Sequence, residues 1–121
     1  MNRNHDIYDR LLRFGIDIVR ISKILSKNFD NRVIADQLIR AGTSVGANMQ
    51  EADSASSRKD FINKVTIAKK EAQETNYWLK VINGAELVNN EKNIEELKSL
   101  LQESEELIKI IGSILAKTKQ Q

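Results

Sequence analysis

The stretch whose reading decides the fold is Leu38–Ala52, LIRAGTSVGANMQEA. Its neighbours are long, charged and rich in bulky apolar residues. Here the bulk disappears: Ala41, Gly42, Ser44, Gly46, Ala47 and Ala52 are all small. Small side chains let another helix backbone come close. A glycine inside a helix costs roughly 1 kcal/mol relative to alanine. A helix that carries two, Gly42 and Gly46, is expected to gain a close contact or a bend in return.

Working outward, the chain of 121 residues has the length of one domain and can bury a core without metals or disulfides. It has no cysteine, hence no disulfide framework, thiol nucleophile or cysteine zinc site. It has no proline, which favours long uninterrupted helices. The opening MNRNHDIYDRLLRFG carries charge through its first apolar run, unlike a signal peptide. No window approaches the roughly 18 apolar residues of a membrane span. These features point to a soluble, cytoplasmic protein with no membrane partner. A net charge of +2 does not by itself imply a nucleic-acid binder. Charge is nonetheless uneven. Residues 1–30 hold six basic against four acidic, 58–84 six against three, and 85–121 five against seven.

The periodicity predicts an all-α chain of four helices, about 6–27, 32–55, 58–83 and 93–117, with no strand alternation. In the first, capped by Asp6, the residues Ile7, Leu11, Phe14, Ile18, Ile21 and Leu25 form one stripe. Tyr8, Leu12 and Val19 form a second. Asp30 or Asn31 is expected to cap the second helix. Its seam is Ile34, Leu38, Ala41, Val45, Asn48, Ala52 and Ala55, mostly small, with one amide that needs partners. That amide either fixes register, as a buried asparagine does in coiled coils, or meets a ligand. Ser57 with Asp60 resembles a capping box for the third helix. Its seam is Phe61, Val65, Ala68, Ala72, Thr75, Leu79 and Ile82. The two small-residue seams are expected to face each other at short distance. Trp78 and Tyr77 sit off the seam, where Trp78 reads as a packing anchor. Asn83–Gly84 supplies a C-cap, and Asn93 with Glu96 a further capping box. The last helix shows two apolar stripes. One is Ile94, Leu97, Leu101, Ile108, Ile111 and Leu115, interrupted by Ser104; the other is Leu100, Leu107, Ile110 and Ile114. Surplus apolar face on the first and last helices predicts a homo-oligomer.

Catalytic chemistry finds no footing. His5 is the only histidine and reads as solvated at the terminus, which excludes Glu-x-x-His di-metal sites and histidine zinc sites. There is no phosphate-cradling glycine loop, and Ser44 lacks a base and a nucleophile-elbow context. Glu71 and Glu74 share a helix face and read as salt-bridge partners for Lys70 or other lysines rather than as a cation site. The chain is expected not to be an enzyme and to need no cofactor. The remaining candidates are basic residues on helices: Arg10, Arg13, Arg20, Lys23 and Lys27 on the first, and Arg58, Lys59, Lys64, Lys69 and Lys70 on the third. Arrayed in an oligomer, they would concentrate a modest charge into a field suited to RNA or DNA phosphates.

LIRAGTSVGANMQEA, followed by SSRKDFINKVTIAKKEAQETNYWLKVI, resembles the proteins associated with intervening sequences of bacterial 23S rRNA genes, also labelled S23-like. The pattern R-A-x-x-S-x-x-A-N with S-R-K-D-F-I and E-T-x-Y-W-L carries the likeness. Gly46 stands where many such proteins carry proline. The resemblance implies an antiparallel up-down-up-down four-helix bundle assembling as a ring-like homo-oligomer, a pentamer as in the related accessory protein of diversity-generating retroelements. That relative is a basic barrel that binds nucleic acid and a reverse transcriptase. Arg40, Asn48 and Glu51 match the second-helix motif, and Arg58, Lys59 and Phe61 the third; an Arg40–Glu51 ion pair is one structural role the resemblance leaves open. The expected function is an oligomeric nucleic-acid-binding accessory factor. The alternative is a structural or protein–protein interaction module whose basic residues are merely solvated.

Overall fold

The computed structural model describes residues 3–120 and, of their side chains, those from Ile7 onward. It consists of four α-helices with no strand among the described residues: α1 (Arg3–Leu25), α2 (Arg32–Asp53), α3 (Arg58–Gly84) and α4 (Glu91–Lys119). A short 3-10 turn, Phe29–Asn31, leads into α2. Each helix packs on its two neighbours in the cycle α1–α2–α3–α4–α1, with α2 against α3 the most extensive contact and α1 against α4 the slightest. No described helix is long and apolar enough to cross a membrane.

Local chemistry starts and stops the helices. Backbone helix already covers Arg3 to Asp6, so Asp6 lies within α1 instead of capping it; its side chain and that of His5 are outside the described residues. The cap near α2 is supplied by Asn28, whose Oδ1 accepts from the Asp30 N–H at 3.0 Å, and neither Asp30 nor Asn31 caps α2 with its side chain. Ser57 Oγ accepts from the Asp60 N–H at 3.0 Å, while Asp60 Oδ2 reaches back to the Ser56 N–H at 3.3 Å. At the end of α3 the left-handed residue is Glu86, φ 56°, and Gly84 remains helical. The Leu87 N–H bonds to the Ile82 carbonyl (3.1 Å) and that of Glu86 to Asn83 (3.2 Å), the paired bonds of a Schellman ending. Helix α4 begins earlier than Asn93: Asn90 Oδ1 accepts from the N–H groups of Lys92 and Asn93.

The core follows the apolar spacing. All six residues of the α1 stripe are buried, as are Leu38, Ala41, Val45 and Ala52 of α2 and the α3 seam from Val65 to Ile82. Asn48 is half-buried and donates to the Ser44 carbonyl at 2.9 Å, and Met49 takes the buried position beside it. On α4 the buried line is Leu97, Leu100, Ser104, Leu107, Ile111 and Leu115, so Ser104 belongs to the seam that it was expected to interrupt. The two α4 stripes are therefore one seam with half-buried flanks at Ile94, Leu101, Ile108, Ile110 and Ile114. Surplus exposed apolar surface survives at Leu12 and Ile16 on α1, Phe29 in the 3-10 turn, Val33 on α2 and Tyr77 on α3.

Candidate nucleic-acid interface

The basic residues of α1 do not share one environment. Arg10 forks onto α4: Nε and Nη2 donate to the two carboxylate oxygens of Glu103 at 3.0 and 2.6 Å, and Nη2 also reaches Glu106 at 3.2 Å. The hydrogen bond with Glu103 raises the pKa of Arg10 above its usual value, against the opposing effect of burial. Arg20 lies 3.7 Å from Asp17, one turn back. Both arginines, with Arg13, line the cleft of about 930 Å³ that the slight α1–α4 contact leaves open. Its other charged walls are Asp9, Asp17, Glu96, Glu103 and Glu106, so the carboxylates there outnumber the guanidinium groups. Lys23, in the last turn of α1, is exposed, as is Lys27, which lies in the turn after α1 ends at Leu25 and not on the first helix as expected.

The α3 candidates divide in the same way. Lys64 Nζ pairs with Glu51 Oε1 of α2 at 2.8 Å, which raises the lysine pKa through that hydrogen bond and the carboxylate charge. Arg58 donates from Nη2 to the Thr118 carbonyl at 2.7 Å, tying the start of α3 to the end of α4. Lys69 is half-buried along α4, where its Cε lies 3.6 Å from the place a Cβ on Gly112 would occupy. Lys59 and Lys70 are exposed, with no ion pair among the described residues.

The motif residues Arg40, Glu51, Phe61 and Trp78 knit helices together. Arg40 does not pair with Glu51. Both lie on α2, Arg40 reaching α3 at Glu71 (3.3 Å) and Glu74, and Glu51 reaching Lys64. Glu74 also accepts from Trp78 Nε1 at 3.0 Å. The partner of Glu71 and Glu74 is thus an arginine of the neighbouring helix, where Lys70 or other lysines had been expected. Phe61 and Trp78 are half-buried against the core, and Trp78 stands edge-on to Tyr77 at 5.4 Å. A separate apolar groove of about 400 Å³ runs between α1 and α2, lined by Tyr8, Leu12, Ile16, Val19, Gly46 and Ala47 among others. Ile16 is part of this exposed strip and falls between the two stripes read from the sequence.

Residues 3–113 match the model of a family described as 23S rRNA-intervening sequence protein. The chain belongs to that family. A crystal structure of a protein of unknown function from the S23 ribosomal protein family of Bacteroides thetaiotaomicron is similar, at 40% identity and a TM-score of 0.81, over 90% of this chain and 97% of that one. No curated protein matches the chain. The family and its S23 relative agree with the four-helix fold.

The sequence reading overlooked the cations of the last helix, Lys109, Lys117 and Lys119, all exposed. A signal was available. After Glu106 the α4 sequence contains these three lysines and no carboxylate, a change of charge sign hidden by averaging over residues 85–121.

Proposed function

We propose that the chain is a non-enzymatic, cytoplasmic accessory protein that self-associates and holds RNA or DNA through the phosphate backbone. The observation that carries this reading is the set of basic residues left exposed and without carboxylate partners among the described residues, Arg13, Lys23, Lys27, Lys59 and Lys70 from the candidate list. Such side chains attract phosphate without reading sequence. The family description, which refers to an intervening sequence of 23S rRNA, supports a nucleic-acid setting. An up-down-up-down order is supported by the short connections and by Arg58 at the start of α3 meeting Thr118 at the end of α4. Self-association as a ring-like homopentamer draws support from the apolar α1–α2 groove, and it would repeat the basic faces around an axis. A reverse transcriptase or another protein would join as partner; no cofactor takes part.

The second reading, a module that binds only proteins, has its own observation: the same apolar groove beside a net charge of only +2. A titration of generic RNA and DNA over a salt series separates the two. Binding that weakens steeply with salt supports the first reading. Absence of binding at the lowest salt rejects it and leaves the second.

A further inference from the structure

We infer that the phosphate backbone docks where the first half of α3 lies against the last half of α4, through Lys59, Lys70, Lys109 and Lys119, with Arg58 and Lys69 between them. The inference rests on the nucleic-acid reading above and places its contact surface.

The two half-helices are one-signed. Residues 58–70 carry five basic side chains and one acidic; residues 107–119 carry three basic and none acidic. Neither segment alone makes a patch. The fold joins them, because Arg58 reaches the Thr118 carbonyl and Lys69 lies along α4 at Gly112. The single acid, Asp60, has a carboxylate oxygen turned to the Ser56 N–H. Lys64 faces away, toward Glu51 on α2. Among the described residues no carboxylate lies within 4.0 Å of Arg58, Lys59, Lys69, Lys70, Lys109 or Lys119. Glu105, one turn before Lys109, marks the edge.

The contrast with α1 decides the placement. There Arg10, Arg13 and Arg20 share a cleft with five carboxylates, which weaken the pull of the guanidinium groups on a phosphate; Lys23 and Lys27, outside the cleft, are the only unopposed cations of that region among the described residues. The α3–α4 patch also lacks the large exposed apolar side chains a protein partner would bury; those of α1 and α2 lie elsewhere in the helix cycle, and Tyr77 lies beyond residue 70 on α3. Along α3, residues 58 to 70 span about 18 Å at 1.5 Å per residue. That length matches about five phosphate steps of one duplex strand. Across the helix cycle, the patch is opposite the α1–α2 groove, so a second copy seated there would leave it open.

The test is fluorescence anisotropy of the full chain with a labelled single-stranded RNA and a labelled DNA duplex over a salt series. Two variants of equal charge change are compared. One carries Lys59→Glu, Lys70→Glu, Lys109→Glu and Lys119→Glu; the other carries Arg13→Glu, Arg20→Glu, Lys23→Glu and Lys27→Glu. All eight side chains are exposed, so the folds should survive, and circular dichroism melting checks this. The α3–α4 variant is expected to lose at least about tenfold in affinity at low salt. Its log–log salt slope should fall by about 3.6 for duplex DNA and about 2.8 for single strands, the loss of four phosphate contacts. The α1 variant should lose markedly less of its slope than the α3–α4 variant. Equal losses in both variants, or an unchanged slope in the α3–α4 variant while wild type binds, overturn the inference and leave the nucleic-acid reading standing. Wild type that binds neither probe at low salt overturns both.

Discussion

Asn76 Nδ2 donates to Ser104 Oγ at 2.8 Å across the buried boundary between α3 and α4. Ser104 is fully buried, and its hydroxyl donates a hydrogen bond to the Leu101 carbonyl at 2.8 Å. The pair satisfies two polar groups in an otherwise apolar seam, and it does so in only one register of α3 on α4. Ser104→Ala strands the Asn76 amide and is expected to lower stability by about 1–3 kcal/mol, the cost of an unmade buried bond. Asn76→Leu with Ser104→Ala removes both partners and should recover much of that loss. Urea unfolding of the single and double variants measures the difference. A double variant less stable than Ser104→Ala alone would show that the bond is not what sets the cost.

Gly42 sits against Ile18. A Cβ at Gly42 would lie 2.7 Å from Ile18 Cγ2 and 2.9 Å from Cγ1, closer than packed atoms allow. Gly46 is different: its Cβ would meet Leu11 Cβ at 3.5 Å, an ordinary contact. Gly42→Ala must push α1 from α2, and the strain of about 1–3 kcal/mol outweighs the roughly 1 kcal/mol gained in helix propensity. Gly46→Ala keeps that gain without the clash and should stabilise the chain. Thermal melts of the two variants should therefore shift in opposite directions.

These two glycines show how far the chain could be read in advance. The small stretch Leu38–Ala52 announced a close approach, but the residues alone do not say which helix approaches. Facing seams suggested α3; at Gly42 and Gly46 it is α1. The α1 stripe was readable because bulky residues at steps of three and four have one core solution. The α4 seam was not, because a buried serine looks like a break until its partner, Asn76, is placed 28 positions away. The same limit hid the ion pairs. Arg40 meets Glu71 and Glu74 through the register of α2 on α3, which no local pattern encodes. The family motif singled out Arg40, Asn48 and Glu51; their contacts are with a neighbouring helix or with their own backbone. The lysines of the proposed contact surface divide between the first half of α3 and the last half of α4, so averaging over residues 85–121 concealed the α4 share.

Glu86 adopts φ 56°, the left-handed region, where it completes the Schellman ending of α3. A residue with a Cβ is strained there by about 1 kcal/mol relative to glycine. Glu86→Gly should raise stability by about 0.5–1 kcal/mol, and Glu86→Val should lower it. The midpoint of urea unfolding checks both, and a destabilised glycine variant would refute the account.

Tyr8 has its hydroxyl pKa raised, first by burial, then by the charge of Asp53 and a hydrogen bond to it. The folded chain therefore holds the phenol proton to higher pH than the unfolded chain. Stability from this group is complete below the ordinary tyrosine value of 10.0 and is lost as pH rises through the folded value. Lys64, whose pKa is raised by Glu51, adds a loss in the same direction above 10.5. Tyr8→Phe should flatten part of the alkaline decline between these regimes, leaving the lysine share. Denaturation midpoints taken from neutral pH to pH 11 test this. An identical decline in the variant would remove Tyr8 as a cause.

Leu12 is 66% exposed and Ile16 44%, one turn apart on the rim of the α1–α2 groove. Isolated exposed apolar residues need no explanation, but here they flank an apolar trough with Tyr8, Val19 and Ala47. A second copy seated there would remove this surface from water at about 25 cal/mol per Å². Helix α4 offers no equivalent strip, since its flanking residues are half-buried within the chain. The proposed self-association is therefore expected at α1 and α2. Leu12→Glu with Ile16→Lys should reduce the sedimenting species to a monomer while leaving the helical signal unchanged, because neither side chain belongs to the core. Charge reversal of Lys59 and Lys70 should leave the assembly intact. If the groove variant sediments as wild type does, the contact between copies lies elsewhere and the exposed strip is free for a different protein.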